Sequence, residues 1–204
     1  MLSRPHQGVT LVELLVGMSI LAILLGLGVP SFATYLQSAK LNTAAQSYLA
    51  GVQMARSEAI RRNLPVEFVL TNTPVETADI ANSLAESANG QNWVVRVFDP
   101  GLAPPAFVLI ESKSATEGAS SNVGPQSVQI VGAGAPAAFT GILSFNGFGA
   151  TVTNSAYRLD VSNPAGGACA PAGPMRCPAL IVPAGGLVHL CDPLVTATTD
   201  SRGC

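Results

Sequence analysis

The chain has 204 residues and a formal net charge of −2, with 48% hydrophobic and only 11% charged residues. That length accommodates one ordinary domain plus an accessory element. The slightly acidic balance excludes a broad basic surface, and with it nucleic-acid binding carried mainly by phosphate neutralisation.

Residues 1–8 are short and polar, with one charge, Arg4. Residues 9–29 are almost wholly apolar, and Glu13 is their only charge. At 1.5 Å per residue such a run spans roughly 30 Å, the thickness of a bilayer's hydrocarbon core. A basic residue ahead of it predicts the leader inside and the bulk of the chain outside. The rival is a conventional signal peptide cut after Ala33, where Ser31-Phe32-Ala33 supplies small residues. Against it, the run exceeds the usual 7–15 residues and contains a carboxylate. A carboxylate at the membrane centre costs roughly 2.5–3.5 kcal/mol, which marks Glu13 as functional.

From residue 30 to residue 63 the pattern is amphipathic. Phe32, Tyr35, Leu36, Ala39, Ala45, Tyr48, Leu49, Val52, Ala59 and Ile60 recur at helical spacing, opposite a polar face that includes Lys40, Gln46, Arg56, Arg61 and Arg62. Asn63 and Pro65 end the helix. Continuous from residue 9 to residue 62, it would be about 80 Å long. Residues 64–204 then read as a β-rich domain. The predicted strands are 66–70, 93–98, 107–110, 127–131, 142–145, 157–161, 179–182 and 187–190, with a short helix over 78–88 and a mobile loop at 118–125. Asn146-Gly147 marks one turn, and Pro183-Ala184-Gly185-Gly186 turns the last hairpin. Trp93, Phe98, Phe145 and Phe148 are expected in the core.

All four cysteines, Cys169, Cys177, Cys191 and Cys204, fall in the last 36 residues and form no CxxC pair. Two disulfides fit this better than zinc, and disulfides imply an oxidising compartment. A regular turn at 183–186 sets residue 178 opposite residue 191, which favours Cys177–Cys191 across the hairpin and Cys169–Cys204 tying down the tail. The sequential alternative is Cys169–Cys177 with Cys191–Cys204.

Gly8-Val9-Thr10-Leu11-Val12-Glu13-Leu14-Leu15 resembles the prepilin processing site shared by type IV pilins, type II secretion pseudopilins and competence pilins. The resemblance implies cleavage between Gly8 and Val9 by a prepilin peptidase, and methylation of the new N-terminus. It implies too that Glu13 pairs with the α-amine of a neighbouring subunit, neutralising a charge that is otherwise expensive to bury. Pro30 falls at the family's helix-kinking position. Val9 departs from the usual phenylalanine. A narrower resemblance, to the GspH/FimT branch of minor pilins, rests on residues 53–63, Gln-Met-Ala-Arg-Ser-Glu-Ala-Ile-Arg-Arg-Asn, with further echoes at Trp93, Phe98-Asp99, residues 142–147 and Leu190-Cys191-Asp192-Pro193.

The implied fold is α+β: the type IV pilin fold, a long N-terminal helix packed on an antiparallel β-sheet domain with a disulfide-stapled C-terminal hairpin. The segments are a leader at 1–8, a transmembrane or filament-core helix segment at 9–29, its amphipathic half at 30–63 and an extracytoplasmic domain at 64–204. The implied function is that of a minor pilin or pseudopilin in a tip or initiation complex, stored in the inner membrane and then displayed on the surface. Its partners would be other major and minor pilins, the prepilin peptidase and the inner-membrane assembly platform. Two alternatives stand beside it, a type II secretion pseudopilin and a DNA receptor of natural transformation.

DNA-binding members of that branch carry a basic GRxR-type motif on the last hairpin, where this chain has Gly186-Leu187-Val188-His189. Only Arg158, Arg176 and Arg202 remain to cluster for DNA, so DNA is not favoured as a partner. His189 reads as a hairpin surface residue, and Asp192 with Asp200 makes a weak calcium case, since that ion wants six to eight oxygens. No GxSxG, HExxH or Cys–His arrangement is present, so neither enzyme activity nor a cofactor is expected.

Overall fold

In the computed structural model the described residues are 10–115, 124–131, 139–163, 167–196 and 199–204, with backbone alone for 27–31, 33 and 124–131. Helix α1 runs from Leu11 to Arg62. Thr10 caps it, its hydroxyl accepting a hydrogen bond from the Glu13 N–H at 3.2 Å, as the Thr-x-x-Glu spacing predicts. It ends at Asn63, which adopts φ 52°, ahead of Pro65.

The chain divides into two compact units, residues 1–36 and 37–204. In the first, the described helical side chains are exposed, Leu11 at 79% and Leu25 at 56% among them, except for the half-buried Thr34. Among the described residues no helix is long and apolar enough to cross a membrane. The apolar run read from the sequence continues into residues 27–29, whose side chains lie outside the description.

In the second unit the helix buries Leu41, Ala44, Ala45, Tyr48, Val52, Ala55 and Ala59 as one stripe, spaced by three or four residues. Eight strands follow: β1 (Val66–Thr71), β2 (Asn92–Asp99), β3 (Ala106–Lys113), β4 (Gly124–Val131), β5 (Ile142–Phe145), β6 (Ala156–Ser162), β7 (Ala179–Val182) and β8 (His189–Cys191). They form two four-stranded antiparallel sheets, β3-β2-β1-β5 and β4-β6-β7-β8, where the sequence suggested a single sheet domain. One continuous core joins the helix stripe to Phe68, Trp93, Phe145, Leu159 and Leu180. Strand β6 alternates between buried and half-buried positions, whereas β1 is nearly all buried. Helix α2 (Ile80–Ser83) lies against β2 and β3 with Ile80 and Ala81 buried, and the outward residues Val69 and Val94 are buried as well. Only four residues of the expected 78–88 helix are helical. Residues 118–123 of the expected loop lie outside the described residues, and Gly124 and Pro125 open β4.

Two of the expected core aromatics are on the surface: Phe98 is 46% exposed and Phe148 90%. Phe32 and Tyr35 are exposed as well.

The cross-hairpin disulfides are not formed; the bridges are Cys169–Cys177 and Cys191–Cys204. Ala179, not residue 178, lies opposite Cys191, so Cys177 is already off the end of the hairpin. It belongs instead to a compact turn in which Ala170 N–H donates to the Met175 carbonyl at 2.8 Å and Gly173 N–H to the Cys169 carbonyl at 3.0 Å. That turn brings the Cα atoms of Cys169 and Cys177 to 5.6 Å. On the other side, Asp192 N–H donates to the Arg202 carbonyl at 2.7 Å, setting Cys204 beside Cys191 with Cα atoms 5.1 Å apart. The staple ties β8 to the tail, not to β7.

Candidate functional site

Gly8 and Val9, the expected processing site, lie outside the described residues. Immediately after them, residues 11–26 present exposed Leu, Val, Ile and Met side chains around a single carboxylate, Glu13, in the first helical turn. A carboxylate there is favoured by the partial positive charge of the helix N-terminus. The helix continues through Pro30, whose side chain is outside the description. Such a surface gains burial only against other apolar groups.

The three candidate arginines gather loosely around the C-terminal segment. Arg176 and Arg202 border a groove of about 300 Å³ together with Asn42, Leu190 and Asp192. Arg158 borders a second depression with Asp200 and Thr196. Each faces a carboxylate. Arg158 donates to Asp160 at 2.9 and 3.0 Å, Arg176 lies 3.6 Å from Asp192, and Arg202 is forked onto Asp200 at 2.7 and 3.0 Å. The Arg202 guanidinium pulls the Asp200 carboxyl down to about 2, so at neutral pH this pair is fully ionised and mutually satisfied.

Asp192 is turned towards its own loop, accepting from Leu194 N–H at 3.0 Å. Among the described residues no group of three or more His, Cys, Asp or Glu is placed to hold a metal ion. His189 is exposed on β8.

Arg56 is a residue the sequence reading missed. Its Nε donates to the Gly149 carbonyl at 3.0 Å, linking the helix to the turn after β5. Beside it, Glu58 holds both Arg61 and Arg62, and these hydrogen bonds lower its carboxyl to about 2. Helical periodicity placed Arg56 on the polar face; its partner is 93 residues away, beyond any local signal.

The sequence matches the family described as type II transport protein GspH over residues 44–172, and the prokaryotic N-terminal methylation motif over residues 3–29. No curated protein matches. Among solved structures the chain is similar to the type IV minor pilin FimU of Pseudomonas aeruginosa, at 15% identity over 74% of this chain and 87% of that one, TM-score 0.47. It is also similar to the minor pseudopilin EpsH from the type 2 secretion system of Vibrio cholerae, at 12% identity over 76% of this chain and 98% of that one, TM-score 0.44.

Proposed function

The chain belongs to the GspH family, a family of minor pilins and pseudopilins that are structural and not enzymatic, and from that premise we propose that it assembles through α1 into a type IV pilus, within a tip or initiation complex. The first half of that helix carries the proposal. Its exposed apolar side chains with one carboxylate gain burial only from lipid before assembly and from neighbouring helices afterwards.

The methylation motif over residues 3–29 supports cleavage between Gly8 and Val9 by the prepilin peptidase, and Glu13 then neutralises a neighbour's α-amine. The inner-membrane assembly platform and the other pilins are the remaining partners. The arginines at 158, 176 and 202 are each matched by an aspartate, which leaves little uncompensated charge for phosphates and weakens the DNA-receptor alternative.

Gly8→Ala and Glu13→Ala in cells carrying the cognate assembly genes test this. Gly8→Ala should accumulate precursor; Glu13→Ala should be cut and inserted normally but be depleted at least tenfold from sheared pili. Mass spectrometry showing a chain that begins at residue 34, or wild-type levels of Glu13→Ala in pili, would overturn the respective step. Wild-type protein found with a secretion pseudopilus instead of pili would move it to the type II alternative.

A further inference from the structure

We propose that Asn82 keeps the free edge of β3 closed, its side-chain amide holding the backbone groups through which β3 of a second copy of this chain would pair with it. β3 ends the sheet β3-β2-β1-β5, and among the described residues no strand pairs with its outer side. Residues 106–110, Ala-Phe-Val-Leu-Ile, carry no charge, and Val108 is 37% and Leu109 42% exposed. An uncharged, apolar edge of this kind is a template for strand addition.

Asn82 occupies that edge as a strand would. Phe107 N–H donates to Asn82 Oδ1 at 2.8 Å, and Asn82 Nδ2 donates to the Phe107 carbonyl at 3.0 Å. The same Nδ2 donates to Asp79 Oδ1 at 2.8 Å, which fixes which end of the amide meets which backbone group. Because both Phe107 groups turn to Asn82, they point away from β2, and so do those of Leu109, two residues on. Beyond Leu109 the register shifts against Val95 and Arg96, a bulge that breaks the edge. The Ser112 N–H is then taken by the Glu111 carboxylate at 3.3 Å. Phe107 and Leu109 are therefore the stretch suited to pairing, and Asn82 holds one end of it.

A second copy fits that stretch. Antiparallel pairing centred on Val108 sets Phe107 of each copy opposite Leu109 of the other, with reciprocal backbone hydrogen bonds at both positions. Ala106 meets Ile110, Glu111 falls opposite Pro105 and Lys113 opposite Ala103, so no like charges face each other. Such pairing needs both Phe107 groups, and Asn82 has them. Helix α2 is seated independently of that contact. Ile80 and Ala81 are buried, and Arg96, ion-paired with Glu67 at 2.8 Å, donates to the Ala81 carbonyl at 2.9 Å.

A disulfide trap on the purified full chain in detergent tests this and requires no filament. Val108→Cys puts a thiol at the centre of the pairing, in a non-hydrogen-bonded pair whose Cα separation of about 4.5 Å lies within a disulfide's reach. With Asn82 in place, mild oxidation should give no more dimer than Val152→Cys, an exposed position outside every strand. Adding Asn82→Ala should raise the Val108→Cys dimer at least fivefold and leave Val152→Cys unchanged. Adding Leu109→Pro as well, which removes an outward N–H, should return it to background. Equal Val108→Cys dimer with and without Asn82, a rise that Leu109→Pro does not reverse, or a matching rise at Val152→Cys would each overturn the proposal.

Discussion

Gly51 shows how one side chain's absence sets the helix-to-sheet distance. A Cβ there would lie 2.7 Å from Phe68 Cε2 and 3.0 Å from Trp93 Cδ2. Neither ring has room to yield. Both are buried, they pack on each other with centroids 5.9 Å apart, and Trp93 Nε1 donates to Ser47 Oγ at 3.0 Å. Gly51→Ala gains about 1 kcal/mol of helix propensity but overpacks the core at about 1–3 kcal/mol. The expected net result is a loss of up to about 2 kcal/mol, read from urea unfolding; an equal or higher midpoint would show that the rings give way. Residue identity alone did not reveal this. Phe68 and Trp93 are core residues while Phe98 and Phe148 are exposed, although all four are large aromatics. Burial follows from which sheet face a position takes, and Phe148 sits in a turn that has no inward face.

Elements were the most legible level. The length and apolar pattern of α1, the bounds of β5 and β7, and the glycine-rich turn before β8 follow from periodicity and turn chemistry. What periodicity cannot supply is register, and a shift of one residue in the last hairpin was enough to redirect both disulfides. Ala179 opposite Cys191 leaves Cys177 to its own turn, so each cysteine pairs with a neighbour in sequence, at separations of 8 and 13. Digestion under non-reducing conditions should yield Cys191 linked to Cys204. Trypsin alone is insufficient, because no Lys or Arg lies between residues 177 and 191; a second cut at Leu187 or Leu190 separates them. A Cys177–Cys191 peptide would reject the connectivity. Replacing Cys191 and Cys204 by Ser should destabilise the domain by roughly 3 kcal/mol and the Cys169–Cys177 pair by slightly less, since loop-closure entropy grows only slowly with loop length.

At the scale of the whole molecule, one helix serves two environments, and the boundary between them sits near residue 36. Ahead of it the described apolar side chains are exposed; behind it Leu41, Ala44, Ala45 and Tyr48 enter the core. A chain starting at residue 37 retains all four of these. It also keeps the hydrogen bond from Asn163 Nδ2 to Gln37 Oε1 at 3.0 Å. It should melt cooperatively with native disulfides. A chain starting at residue 49 loses those four residues, the Tyr48 hydroxyl bond to the Gln91 carbonyl at 2.8 Å and the Ser47 partner of Trp93. Burying a Leu or aromatic side chain contributes roughly 1.5–3 kcal/mol. The losses together reach about 5 kcal/mol, comparable with the whole stability of many domains. The shorter fragment should therefore lack near-ultraviolet circular dichroism and a cooperative melt. If the fragment from residue 49 melts with the one from residue 37, the start of the helical spine is dispensable. If the fragment from residue 37 fails to fold, the apolar half is part of the domain.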